Sequence, residues 1–244
     1  MNIAIISGAS SGIGKAFALL LDSYKLDEIW LIGRNAERLN DLKRELATNS
    51  KCFALDLQKE NAFDFIQGEL NNEIHIAYLV CSAGVGYNGD FESLSLNELA
   101  NMSDTNCRGL VLLNKICLSY MSKGAKIINI SSGACFLPQP GFCTYAASKA
   151  FVTSFSRGLN EEVKHKGICV TAVCPGPVDT AFFSGLKNVK EYKRKYLVSP
   201  MFVAKKGLLA SKKNRSVCTP TFSMKLVHLI SKILPVSLIL KFYK

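Results

Sequence analysis

Tyr145 and Lys149 stand four residues apart in Tyr145-Ala146-Ala147-Ser148-Lys149, at the head of a long amphipathic stretch. Residues at this spacing share one face of a helix, so the phenol and the ammonium address the same space. A neighbouring cation favours phenolate and is expected to lower the tyrosine pKa toward working pH, as a general acid–base requires. The pair alone has little specificity in a chain with eight tyrosines and many lysines. Upstream, the apolar run Lys126–Ile130 leads into Ser131-Ser132-Gly133. A serine at the carboxyl end of such a strand can hold a carbonyl oxygen for protonation, and open α/β sheets bind ligands at that edge.

A second pattern lies at the start of the chain. The run Ile3–Ile6 is followed by Ser7-Gly8-Ala9-Ser10-Ser11-Gly12-Ile13-Gly14 and then by a helical pattern. Glycines between a first strand and a first helix let the backbone bend sharply and approach a pyrophosphate, with free N–H groups at the helix start meeting its charge. The next apolar run ends in Gly33-Arg34, with no acid before Glu37. An acid there would bind the ribose hydroxyls of NAD, whereas arginine accommodates the 2′-phosphate of NADP, so NADP(H) is favoured. Asp56 follows the third apolar run and either meets the adenine or closes a turn.

The elements that must position these groups alternate. Apolar runs rich in Ile, Val, Leu and Cys recur at Ile3–Ile6, Ile29–Ile32, Cys52–Leu55, Ile76–Cys81, Lys126–Ile130 and Ile168–Val173. None alternates with polar residues, the mark of strands covered on both faces. Amphipathic stretches at Ile13–Tyr24, Ala36–Leu46, Ala62–Leu70, Leu96–Met121 and Tyr145–His165 separate them. The expected fold is a doubly wound, Rossmann-type parallel sheet of about seven strands with helices on both faces, in one domain over residues 1–220. Residues 177–198 lack a period and read as a substrate lid in which Phe182, Phe183 and Tyr192 either line a pocket or anchor the segment. Ser199-Pro200 reads as a helix start, and Val217–Thr219 as a last short strand.

Composition narrows the function classes. The 244 residues are 48% hydrophobic, enough for a sizeable core. The chain starts without the basic and long apolar segments of a secretory leader, and a cytoplasmic protein is expected. Nine scattered cysteines with no CxxC pair read as small buried hydrophobes. His75, His165 and His228 have no metal-ligand spacing, and no metal is expected. The net charge of +11 is uneven: from Lys187 onward 14 Lys/Arg face the single acid Glu191, while the earlier residues balance at −2. Nucleic acid is not expected as a partner. In 221–244, read as one basic amphipathic helix, positions 225, 228 and 232 share a face opposite 226, 227, 230, 233 and 234. The charges and Pro235 argue against a spanning helix, so the segment either packs on the domain or a partner subunit, or lies in a membrane interface.

Taken in order, these motifs resemble the short-chain dehydrogenase/reductase family over about three quarters of the chain. Ser7–Gly14 resembles its TGxxxGxG turn, with serine for threonine, and Tyr145–Lys149 its YxxxK pair. Asp56-Leu57 resembles the adenine-side pair, and Asn106 in Asn106-Cys107-Arg108-Gly109 the family's helix asparagine. Ser132 is chosen over Ser131 because it lies thirteen residues before Tyr145, the family spacing. Pro175-Gly176-Pro177-Val178-Asp179-Thr180 resembles the PGxxxT segment that contacts the nicotinamide carboxamide. The NAG motif departs, appearing as Ser82-Ala83-Gly84. The resemblance implies hydride transfer between NADP(H) and a ketone or secondary alcohol, with Tyr145 as proton donor and Ser132 polarising the oxygen. It also implies that Lys149 binds the nicotinamide ribose, that Asn106 holds a water linking Lys149 to solvent, and that the chain forms a homodimer or homotetramer. A lipid-like or anionic substrate would suit the basic tail. The competing reading is a catalytically silent dinucleotide-binding regulatory or membrane-peripheral protein.

Overall fold

The computed structural model describes residues 1–186 and 196–241. Tyr192 and most of the Lys-rich part of the expected lid lie outside them. Seven strands form one parallel sheet: β1 (Asn2–Ser7), β2 (Glu28–Gly33), β3 (Ser50–Ala54), β4 (His75–Cys81), β5 (Lys126–Ile130), β6 (Cys169–Val173) and β7 (Val217–Cys218). Their order is β3-β2-β1-β4-β5-β6-β7, so the winding reverses between β1 and β4. A crevice opens at the carboxyl ends of the strands at such a reversal, where doubly wound sheets take ligands.

Helices cover both faces: α1 (Gly12–Leu21), α2 (Ala36–Glu45), α3 (Glu60–Glu69), α4 (Leu96–Ser103), α5 (Gly109–Leu118) and α6 (Cys143–Val163), then α7 (Ala181–Ser184), α8 (Pro200–Lys212), α9 (Phe222–Ile233) and α10 (Val236–Leu240). Successive strand residues point to opposite faces. Ile3, Ile5, Ile127 and Val170 therefore enter one core layer, and Ala4, Ile6, Ile128 and Val173 the other. This double burial is why the strands read as unbroken apolar runs.

A polar chain runs through the first of these layers. The Asn114 amide donates to Asn129 Oδ1 at 3.2 Å, and Asn129 Nδ2 donates to Ser156 Oγ at 3.0 Å. All three residues are buried, so the chain ties α5, β5 and α6 at fixed register. Buried amides without partners would each cost roughly 1–3 kcal/mol, which makes this arrangement selective as well as stabilising.

Two expectations change. The stretch Leu96–Met121 is not one helix: α4 and α5 are separated by a π-helical turn at Asp104–Arg108. The C-terminal segment is also divided, because Pro235 has no N–H to donate and holds Leu234 extended (ψ 140°), ending α9 before α10 begins. α9 packs on the domain by a narrow side that takes Val227 from one face of the wheel and His228 from the other. Met224 lies over Gly133 and Gly176, and His228 stacks on Phe136 with ring centroids 4.2 Å apart, while Leu226, Leu229, Ile230 and Ile233 face outward. Ser199 caps α8 through Phe202 N, with proline in the first turn, as its sequence suggests.

Candidate active site

The turn after β1 closes on itself. Gly8 has φ +68°, and a Cβ there would meet the Ser82–Ala83 backbone at 2.7–2.8 Å. A Cβ on Gly14 would fall 2.2 Å from the Gly8 carbonyl oxygen, so only glycine allows α1 to start this close to the strand. Ser7 and Ser82 join the two strand ends: Ser82 N donates to the Ser7 carbonyl (3.2 Å), and Ala83 N to Ser7 Oγ (3.3 Å). Ser11 caps α1 by backbone position without a side-chain hydrogen bond, and the first turn carries no acid. The N–H groups of Ile13 and its neighbours thus present a positive helix end to the crevice. These features fit a dinucleotide pyrophosphate. Ser10 Oγ comes against Gly33, which places exposed Arg34 beside the same turn. Arg34 forms no ion pair with a described residue.

At the carboxyl end of β5 the paired serines divide. Ser131 is buried and donates to the Lys149 carbonyl at 2.8 Å, with Thr153 Oγ1 at 2.7 Å. Ser132 accepts from Ala134 N at 3.1 Å, and its hydroxyl lies near enough to the Tyr145 phenol to favour the ionised form. Tyr145 and Lys149 are both buried on the same face of α6, with Lys149 Nζ 5.7 Å from the Tyr145 ring centroid. Lys149 Nζ donates to the Ile130 carbonyl at 3.0 Å.

The electrostatics correct one expectation. Tyr145 is not brought down by its lysine: burial pushes the phenol up to about 12, the nearby Ser132 hydroxyl opposing. Burial also draws Lys149 down to about 8. The ammonium is turned to the Ile130 carbonyl, so desolvation outweighs the cation.

Asn106 occupies the π turn, buried. Its Oδ1 accepts from Val85 N (2.9 Å), and its Nδ2 donates to the Val85 carbonyl (2.9 Å) and Ser148 Oγ (3.0 Å). A Cβ on Gly84 would touch Asn106 Oδ1 at 3.2 Å and Lys149 Nζ at 3.3 Å, so the three meet at one point. Asp56 Oδ1 accepts from Gln58 N at 3.1 Å, the turn-closing role, and the Leu57 side chain belongs to the core. Pro175 accepts from Gly133 N at 2.7 Å, tying the segment after β6 to the turn after β5. Val178 is buried, and Thr180 caps α7 with its methyl against Gly12. Gly176 lies under Met224.

Of the neighbours of the site, Phe182 is a candidate lining residue in the sequence, and the others are not evident from motif reading. Phe142 stacks on Tyr145 at 4.2 Å, and Phe182 sits 5.5 Å away against Gly86. Val85, Tyr87, Leu94 and Leu99 pack on the same cluster. Cys135 and Cys174 bring their Sγ atoms to 3.7 Å; the hydrogen bond between them pulls the Cys135 thiol down to about 7 and pushes Cys174 up. Sequence gives Phe142 one signal, an aromatic three residues before Tyr145, and gives the cysteines none.

Residues 2–190 match the short chain dehydrogenase family, and the chain belongs to it. It is therefore an oxidoreductase dependent on a nicotinamide dinucleotide. An uncharacterized oxidoreductase of Staphylococcus epidermidis is 33% identical over 187 residues, 75% of this chain and 81% of that protein. The 17-beta-hydroxysteroid dehydrogenase type 3 of Mus musculus is 34% identical over 76% of this chain, which spans 63% of that protein's length. The very-long-chain 3-oxoacyl-CoA reductase of Anas platyrhynchos is 34% identical, with coverage of 72% and 60%. In fold, the chain is similar to a short-chain dehydrogenase from Sphingobium yanoikuyae in complex with NADPH (TM-score 0.81, 24% identity, 95% and 93% covered). A Burkholderia phymatum family member in complex with NAD gives the same TM-score at 19% identity, covering 94% and 92%.

Proposed function

We propose that this protein is an NADP(H)-dependent carbonyl reductase acting on a ketone or secondary alcohol with an apolar body, with Tyr145 as the proton donor. The observation that carries the reading is the convergence of buried Tyr145 and Lys149, with Nζ 5.7 Å from the phenol ring, beside Ser132 at the carboxyl edge of the sheet. Ser7–Gly14 would cradle the pyrophosphate, and Arg34 with Ser10 the 2′-phosphate. Asp56 and Leu57 would border the adenine, and Ser82–Gly84 with Pro175, Gly176, Val178 and Thr180 the nicotinamide side. When bound, the cofactor supplies hydride to the carbonyl carbon.

The chain's own residues manage the proton. A phenol held near 12 stays protonated at neutral pH, as a donor for reduction must. Ser132 donates to the substrate oxygen while Tyr145 gives up its proton, and Lys149, held on the Ile130 carbonyl, would bind the nicotinamide ribose. Asn106 holds the Val85 backbone and hence the Gly84 wall beside Lys149. Phe142, Phe182, Val85 and Leu99 favour an apolar substrate over an anionic one at this position. Residues 1–220 would form the catalytic unit, as a homodimer or homotetramer.

NADPH and NADH oxidation with a panel of aliphatic and polycyclic ketones tests the reading. Wild type should prefer NADPH. Arg34→Ser should lower kcat/KM for NADPH by roughly 10–100-fold, as loss of a charged hydrogen bond implies, and leave NADH nearly unchanged. An equal loss with both cofactors would remove Arg34 from the phosphate role.

A further inference from the structure

The C-terminal hairpin reverses the usual arrangement of a helix on a domain. The inner side of α9 is Met224, Val227, His228 and Ser231, all partly covered. The outer side is an apolar stripe: Phe222, Leu226, Leu229, Ile230 and Ile233, at steps of four, three, one and three residues. Phe222 is 81% exposed, Ile233 69% and Leu229 55%. Leu234, Val236 and Leu238 continue the exposed apolar surface past the proline break. The hairpin cannot turn this stripe inward. Met224 is held over Gly133 and Gly176, His228 on Phe136, and Leu240 closes an apolar cavity of about 320 Å³ against Phe136, Pro138 and Ala150.

Charge selects what covers the stripe. Residues 196–241 contain eight Lys/Arg and no Asp or Glu. On α9, Lys225 and Lys232 are exposed and seven residues apart, bordering the stripe along one edge. A second copy meeting this face across a two-fold axis would set basic surface against basic surface. Anionic headgroups complement it, with apolar side chains entering the acyl boundary and lysines at headgroup level. No described helix is long and apolar enough to cross a membrane. We propose that α9 and α10 dock the protein flat on an anionic lipid surface through Phe222, Leu226, Leu229, Ile230 and Ile233. This inference does not depend on the substrate or cofactor preference above.

Co-sedimentation of the full chain with phosphatidylcholine vesicles, with and without phosphatidylglycerol, tests it. Wild type should bind the anionic vesicles roughly tenfold more than the neutral ones, less so as salt is raised. Leu229→Glu/Ile233→Glu should lose that binding while keeping wild-type circular dichroism and thermal midpoint, since both side chains face solvent. Lys225→Gln/Lys232→Gln should reduce the anionic preference and preserve folding. Absence of wild-type binding, or equal binding by the glutamate variant, overturns the proposal. Light scattering resolves the rival occupant: if the glutamate variant splits a wild-type oligomer and wild type ignores vesicles, the stripe is a subunit interface and the lipid assignment fails.

Discussion

The sheet with its crevice and the C-terminal hairpin solve opposite problems with the same residue types. In the sheet, Ile, Val and Leu are fully covered and polar groups such as Asn114, Asn129 and Ser131 are paired inside. In the hairpin, Leu and Ile stand outward and only one thin face, centred on Met224 and His228, is covered. Apolar content therefore does not report what a segment does. Where the residues point, and which charges border them, does.

The largest expected difference between the regions is chemical. Tyr145→Phe keeps the ring that Phe142 stacks on and removes the hydroxyl, so turnover should fall by ~10²–10⁴-fold with a thermal midpoint close to wild type. Steady-state rates with NADPH and a ketone check this, and a variant with unimpaired turnover would break the assignment. Next is Asn129→Ala, which takes one partner each from buried Asn114 and Ser156 and leaves them only their bonds within their own helices, to Leu110 and Val152, and the Asn114 contact to Cys81. It should cost about 1–3 kcal/mol of unfolding free energy, read from the urea midpoint.

Lys149→Met should separate stability from activity. The folded-state pKa of Lys149 lies near 8, below its ordinary 10.5, so between these values the unfolded chain binds more protons and stability rises with pH. The wild-type minus variant difference in urea midpoint should climb across pH 8–10.5. Below pH 8 the variant should be the more stable form, though inactive. A flat difference would show that Lys149 is not desolvated. The smallest effect belongs to the tail: Leu229→Glu should shift unfolding free energy by no more than ~0.5 kcal/mol, because that side chain is more than half exposed.

Strand positions were legible because two-sided burial writes continuous apolar runs; β1, β4 and β5 fall within about a residue or two of the sequence reading. The glycine turn and the Tyr145–Lys149 face were legible because local spacing carries them. The electrostatics were not, since the depth of burial around Tyr145 and the turn of Lys149 toward Ile130 are set by segments far apart in sequence. The facing of α9 was hidden for the same reason: a Met224 seated over Gly133 and Gly176 decides it, and no wheel contains those glycines. Pro235 carried the signal for the break, yet the amphipathic pattern across it reads as one helix.

The π turn at Asp104–Arg108 has a consequence for how this chain tolerates insertions and deletions. A turn of that kind holds one residue more than an α turn and shifts everything after it by about 100° relative to what precedes. Removing one residue there would let α4 and α5 fuse into a smoother helix with better local hydrogen bonding. It would also rotate Asn106 off Val85 or swing Leu110, Leu113 and Asn114 out of their seats. The bulge thus acts as a phase marker between two halves of a long rod, and length changes on its two sides are not interchangeable.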